Sequence, residues 1–274
     1  MFESGETYLN CITTMVSGWY KHFIPMFEYS AKRAMPDVDV KVFSMEKLFP
    51  EYNRSSVNSL RFFIPKKLLK NYNYVYFTDV DFVFLPHNKD LFDYHIQVAN
   101  ATAQGYSGHR GPIRAKKRGF KNWSGKHTRI AAGAFMVNRE WFDRTEKIKA
   151  ELLPSLVTGV KYRESDEMML HTILRESKYR TPLKVGRFAD NRKYNIRYRD
   201  VHLGDFKGSF TRWKDIKRMK RKFLTNENVK AYSVLSRDRE WRHIVDKACQ
   251  NHHIKRIMDN LDFHIKKRLR CISS

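Results

Sequence analysis

Tyr74-Val75-Tyr76-Phe77-Thr78-Asp79-Val80-Asp81-Phe82-Val83-Phe84-Leu85 sets two carboxylates inside an otherwise apolar run of β-branched and aromatic residues. Such a run predicts a buried strand. An ionised carboxylate is costly to bury unless a cation or hydrogen-bond donors meet it. Asp79 and Asp81 are two apart, so on extended backbone they point the same way. Two carboxylates on one face, at the end of a buried strand, would seat a hard divalent cation. Mg2+ and Mn2+ take oxygen ligands and leave positions for substrate phosphates. A strand end whose carboxylates are solvated, or paired with lysine or arginine, is the alternative. The apolar sequence on both sides favours the metal.

Working back from this run, Val38-Asp39-Val40-Lys41-Val42-Phe43 alternates as a strand does, and Tyr8 to Thr14 reads as another. Between them, Tyr20, Phe23, Ile24, Phe27 and Ala31 recur near helical spacing. Pro25 is tolerated only in a first turn, so this helix is expected to begin near it. Val57 to Leu69 reads as a second helix and carries Arg61. Strand, helix, strand, helix, strand opens an α/β fold with a mostly parallel sheet flanked by helices. Ligands of such sheets gather beyond the carboxyl ends of strands, which is where Asp79 and Asp81 fall.

Working forward, Gln97 to Ala101 suggests a short strand. The pattern then fails from Gly105 to Arg129, where glycines and basic residues alternate. An insert of that length in a domain points to a functional loop, here one that clamps an anionic ligand, or to a solvated one. Ile130 to Asn138 is a small-residue segment that lets another chain or a ligand approach closely. A helix from Glu140 to Glu151, ended by Pro154, and another from Ser165 to Leu174 are expected next. The second carries Asp166 and Glu167 in its first turn, with Met168, Met169, Leu170 and Ile173 toward the core. Pro182 to Phe188 suggests a late strand. Val201 to Gly208 brings His202, Gly204 and Lys207 together in a short segment.

Lys and Arg number 53 against 29 Asp and Glu, a net charge of +24. A surface this basic selects anionic partners without choosing among nucleic acid, acidic lipid and acidic glycan. After residue 210 the sequence changes character, and this stretch has one basic cluster at its start and another at its end. Between its two basic clusters, Trp213, Ile216, Phe223, Trp241, Ile244, Ile254, Ile257, Leu261 and Ile265 recur near helical spacing. That predicts two to four basic amphipathic helices, lying on an acidic bilayer or packed as an appendage. We therefore expect a domain over 1–209 and a basic helical region over 210–274. No run of 18 apolar residues occurs. The acidic first residues do not read as a secretory signal. Three scattered cysteines, Cys11, Cys249 and Cys271, fit neither a disulfide framework nor zinc, so a reducing, cytoplasmic compartment is expected.

The ordered set of segments resembles the GT-A glycosyltransferases, most of all the retaining, galactosyltransferase-like group (family 8) that includes glycogenin and bacterial lipopolysaccharide galactosyl- and glucosyltransferases. That group has an arginine-bearing helix, an apolar strand ending in D-x-D, a small-residue segment, a helical tryptophan, an acidic-polar helix start and H-x-x-G-x-x-K. The counterparts here are Arg61, Asp79-Val80-Asp81, Ala131 to Asn138, Trp141, Asp166-Glu167 and His202 to Lys207. The chain departs from the pattern in three places. One residue separates His202 from Gly204, no Pro-Trp follows Lys207, and Asp166-Glu167 stands for Asp-Gln. The resemblance implies a GT-A fold and a Mn2+- or Mg2+-dependent transferase. Its donor would be a nucleotide sugar, UDP-sugar above all, and its acceptor a glycan or glycolipid, anionic given the charge of this chain. It implies Asp79, Asp81 and His202 as metal ligands, and Asp79, Asp81, Arg61, Lys207 and Gly204 around the donor. Asp166 and Glu167 would be catalytic, beside the transferred sugar. Whether configuration is retained stays open. The inner face of a membrane is the expected place for a peripheral enzyme of this kind. A metal-dependent enzyme of nucleic acid and a non-catalytic basic binding module are the other readings. No helix-turn-helix, RNP or zinc-finger signature supports a nucleic-acid partner.

Overall fold

A buried run at Asn10 to Val16 and an alternating one at Asp39 to Ser44 build the first two strands of a sheet, β1 (Asn10–Val16) and β2 (Asp39–Ser44). The structure, a computed structural model, describes residues 10–52, 57–85, 91–93, 96, 106–108, 134–157, 166–178, 202–205 and 226–273. β3 (Tyr74–Thr78) and β4 (Phe82–Phe84) come next, then β5 (Tyr106–Gly108), β6 (Ala134–Asn138) and β7 (His202–Asp205). The helices are α1 (Ile24–Ala34), α2 (Met45–Leu48), α3 (Val57–Leu60), α4 (Arg139–Val157), α5 (Asp166–Glu176), α6 (Asn226–Leu235), α7 (Arg239–Ala248) and α8 (His252–Ser273). The chain is α/β, as expected. It divides into two compact units that interleave in sequence. One comprises Met1–Ser17, Asp37–Thr78 and Phe92–Asn195; the other comprises Gly18–Pro36, Asp79–Leu91 and Ile196–Ser274.

The first unit is built on a five-stranded sheet of order β2-β1-β3-β6-β5. β1 runs parallel to both β2 and β3, whereas β6 is antiparallel to β3 and β5 is antiparallel to β6. The sheet is thus parallel on one side and antiparallel on the other. Period-two alternation sends Cys11, Met15, Val75, Phe77, Phe135 and Val137 to one face, where they meet Leu60, Phe62, Trp141, Leu170 and Ile173. Residues of the opposite parity, Ile12, Tyr76 and Met136, are buried too. A strand buried on both faces needs apolar residues at every position, which is why Tyr74 to Phe77 does not alternate.

Three local expectations change. Val57 to Leu69 is not one helix. It breaks into α3, a 3-10 turn at Arg61–Phe63 and another at Lys66–Leu68. Pro65 lacks an N–H and forces its predecessor out of helical geometry, and Ile64 is extended at φ −48, ψ 127. Pro154 does not end α4, which runs on to Val157. It lies in the last turn, and Leu156 just beyond it is buried, so packing holds the helix together there. Tyr106–Gly108, assigned to a structureless insert, is the edge strand β5. The expected strands at 97–101 and 182–188 lie outside the described residues, as does the rest of the 105–129 loop.

The second unit gathers α1, β4, β7 and the helices after residue 225. Pro25 sits in the first turn of α1, as expected. Gly18, at φ 55, makes the left-handed turn between β1 and the 3-10 helix Gly18–Phe23. The apolar stripe of α8 is spent inside the protein, with Ile254, Ile257, Met258 and Ile265 buried. The tail helices α6, α7 and α8 are therefore packed elements. Asp238 caps α7, accepting from the N–H groups of Glu240 (2.9 Å) and Trp241 (3.2 Å). Asn251 caps α8 in the same way, from His253 (3.0 Å) and Ile254 (3.4 Å).

Candidate active site

The run from Tyr74 to Leu85 is not one strand. β3 ends at Thr78, the backbone turns at Val80 and Asp81, and β4 begins at Phe82. β3 belongs to the five-stranded sheet and β4 to a two-stranded sheet with β7. Asp79-Val80-Asp81 is the link between them. The alternation argument, which had both aspartates pointing one way on extended backbone, therefore fails at the turn. Their surroundings differ accordingly. Asp81 is 1% exposed, and Asp79 is half-buried. The expected position at the carboxyl end of a buried strand holds.

Register shows what else lies along that end of each sheet. In the first unit, Ala134 pairs with Thr78, the residue before Asp79. Gly108 of β5 pairs with Phe135. The chain thus leaves β5 and re-enters at β6 at the end of the sheet where β3 hands over to Asp79. Asn138 closes the small-residue segment and has a local purpose: its Oδ1 accepts from the N–H of Trp141 at 3.2 Å, capping α4. Trp141 is fully buried. Arg61 is 2% exposed, in the 3-10 turn that follows α3 in this unit. Asp166 and Glu167 open α5, where the helix N-terminus favours negative charge.

In the second unit, β4 and β7 are antiparallel, with Phe82 opposite Asp205 and Phe84 opposite His202. Of the expected donor and metal residues, Asp79, Asp81, His202 and Gly204 fall together in this unit. The backbone of Asp205, which sequence reasoning passed over, is registered with the residue next to Asp81. His202 is registered at the far end of β4. Lys207 lies outside the described residues. Sequence reasoning also passed over Trp19 and Tyr20, placed in an amphipathic helix by their spacing. They are half-buried in the 3-10 turn directly after β1, with ring centroids 4.2 Å apart. Their signal was the glycine before them and their place at a strand's carboxyl end.

The donor chemistry of the link fits a hard divalent cation. Both side chains are carboxylates, the hard oxygen ligands such an ion takes. Among the described residues, no group of three or more His, Cys, Asp and Glu could hold a metal ion. Mg2+ is commonly held by one or two carboxylates, with water and substrate phosphates completing its octahedron. The pair suffices for that mode.

No protein-family model matches the chain, and no curated protein sequence matches it. Solved structures similar to it include the galactosyltransferase LgtC in complex with donor and acceptor sugar analogues, at 12% identity and a TM-score of 0.37, covering 60% of this chain and 70% of LgtC. An active-site mutant of LgtC matches at 13% identity and 0.34, covering 60% and 69%. The apo-form glycosyltransferase GlyE of Streptococcus pneumoniae TIGR4 matches at 12% and 0.42, and the match covers 84% of this chain and 64% of GlyE. At these identities and scores the likeness assigns neither substrate nor site residues.

Proposed function

We propose that the chain is a divalent-metal-dependent glycosyltransferase that moves a sugar from a nucleotide-diphosphate donor, a UDP-sugar, to a hydroxyl of an anionic glycan or glycolipid. The observation that carries this reading is the pair of carboxylates, Asp79 and Asp81, in the link that follows the carboxyl end of β3. Asp79 and Asp81 would hold Mn2+ or Mg2+, with water and the donor's phosphates completing its coordination. The ion, when bound, supplies Lewis-acid neutralisation of the diphosphate leaving group.

The chain's own residues do the rest. Gly204 lets the backbone come close to the donor. Lys207 would supply positive charge to the phosphates, worth most where water is excluded. Arg61 would serve the donor, as the resemblance implies. Asp166 and Glu167 would be the carboxylates beside the transferred sugar. Inversion would have one of them accept the acceptor's proton; retention would have them orient the sugar.

The reading extends to location. α8 exposes Lys255, Arg256, Lys266, Lys267, Arg268 and Arg270 against Asp259 and Asp262, with Phe263 61% exposed among them. We propose that this face rests on the anionic inner face of a membrane, each basic residue contributing about 1 kcal/mol. Vesicles with acidic lipid should sediment the protein at low salt and release it at high salt; equal sedimentation with neutral vesicles would count against it.

Thermal-shift measurements with UDP-, GDP- and CMP-sugars, with and without Mn2+, test the main reading. Binding to the folded state stabilises it in proportion to RT ln(1 + [L]/Kd). One nucleotide sugar should raise Tm only when Mn2+ is present. No shift with any of them under either condition would overturn the proposal.

A further inference from the structure

β4 is only three residues long, and β7 pairs with it in a two-stranded sheet. It nevertheless follows Asp81 directly, so whatever fixes β4 also fixes one end of the aspartate link. α1 packs against this strand with Phe27, Ser30 and Ala31 fully buried. The Phe84 N–H donates to Ser30 Oγ at 3.3 Å. The Ser30 hydroxyl donates in turn to the Phe27 carbonyl at 3.1 Å. Its proton is thus committed to its own helix, and its oxygen is left to receive the strand. Below this bond the Phe27 and Phe84 rings meet edge to face, with centroids 5.6 Å apart. Serine is a weaker helix former than alanine, and Ser30 is fully buried, so a purely packing role would be met better by alanine.

α1 is itself held at its other end. Arg33 pairs with Asp238, the cap of α7, at 2.6 Å, and the Tyr29 and Trp241 rings lie 6.1 Å apart. The backbone N–H groups of α7, the Tyr29 hydroxyl and Arg33 together hold the Asp238 carboxyl below its ordinary range. The helix that carries Ser30 is therefore braced against the tail helices on one side and bonded to β4 on the other.

We infer that Ser30 is a positioning residue for the Asp79–Asp81 link. It holds the Phe84 amide, and through β4 it keeps the carboxylate of Asp81 where a divalent cation can meet it. This rests on the metal reading above, and the test separates the two. Free Mn2+ is followed by its electron paramagnetic resonance signal during titration of the full chain, with and without UDP. Wild type should take up Mn2+. Ser30→Ala should need about 3- to 10-fold more Mn2+ for half-saturation, and Ser30→Cys, with a weaker acceptor, should fall between. Thr145→Val removes an equally buried hydroxyl, bonded to the Trp141 carbonyl at 2.7 Å, and should lower Tm without changing Mn2+ uptake. Unchanged Mn2+ affinity in Ser30→Ala overturns the role of Ser30 alone. Should that variant fail to fold, wild-type affinity in Ser30→Cys overturns it. A wild-type chain that takes up no Mn2+ under either condition overturns the metal reading and this inference together.

Discussion

β3 and β4 are cut from one apolar run, are buried to the same degree and sit three residues apart, yet they are held differently. β3 lies between β1 and β6 in a five-stranded sheet and needs no side chain to satisfy its backbone. β4 is paired in a two-stranded sheet with β7, and a serine from α1 accepts from its Phe84 amide. One strand is fixed by the main chain and the other partly by side chains. The aspartates lie at the junction, with Thr78 of the sheet behind Asp79 and Phe82 of the braced strand ahead of Asp81.

The largest expected effect separates chemistry from folding. Asp81→Asn should reduce metal-dependent donor hydrolysis by about 100-fold or more, since even outer-shell changes cost 10- to 100-fold at metal sites, while the unfolding midpoint changes little. Phe77→Ala, in β3, should do the reverse. It should cost about 3–5 kcal/mol of stability and leave hydrolysis per folded molecule intact. Phe84→Ala, in β4, should cost a similar amount and also weaken Mn2+ uptake. If the two phenylalanine variants behave alike toward Mn2+, the difference drawn between the strands is wrong.

How much of this was legible in the sequence depends on what kind of force was at stake. Alternation located β2, and Pro25 located the start of α1, because both signals are local and one-dimensional. The apolar run at Tyr74 to Leu85 declared its burial. It could not declare its division, because the turn at Val80 and Asp81 carries no glycine or proline and both strands are apolar throughout. Pro65 was a readable break inside the helix expected over Val57 to Leu69. Pro154 misled in the other direction, since only the burial of Leu156 beyond it shows that the helix continues. For the site, residue types and order pointed to Asp79 and Asp81. Register, which arises from pairing across distant sequence, was needed to show that Asp205 and not His202 is paired beside Asp81's neighbour. No composition argument could reveal that Ser30 meets Phe84 across 54 positions.

A smaller effect sharpens the comparison on the first unit's side. Lys149 of α4 is half-buried, with Nζ 5.1 Å from the Trp141 ring centroid and 5.2 Å from that of Phe142. Loss of hydration pushes its amine down to about 7 from 10.5. The unfolded chain therefore holds one more proton between these values, and stability should rise with pH across that window. The cost is complete below it. The slope is at most about 1.4 kcal/mol per pH unit, less for a side chain that still reaches solvent. Lys149→Met should flatten this part of the Tm–pH profile; an unchanged profile would mean the amine stays hydrated. Smallest of all, Asn251→Ala should cost about 1 kcal/mol through the lost cap of α8, read as a small drop in the urea midpoint with Mn2+ uptake unchanged.

The central claim, that Asp79 and Asp81 hold a divalent cation, is most directly tested by growing crystals of the protein with Mn2+ and UDP and collecting anomalous diffraction. The account predicts a manganese peak within bonding distance of both carboxylates, absent from the Asp81→Asn variant. A wild-type crystal in which UDP is bound with no such peak, or in which Asp81 is bonded to an arginine or lysine in its place, would contradict it.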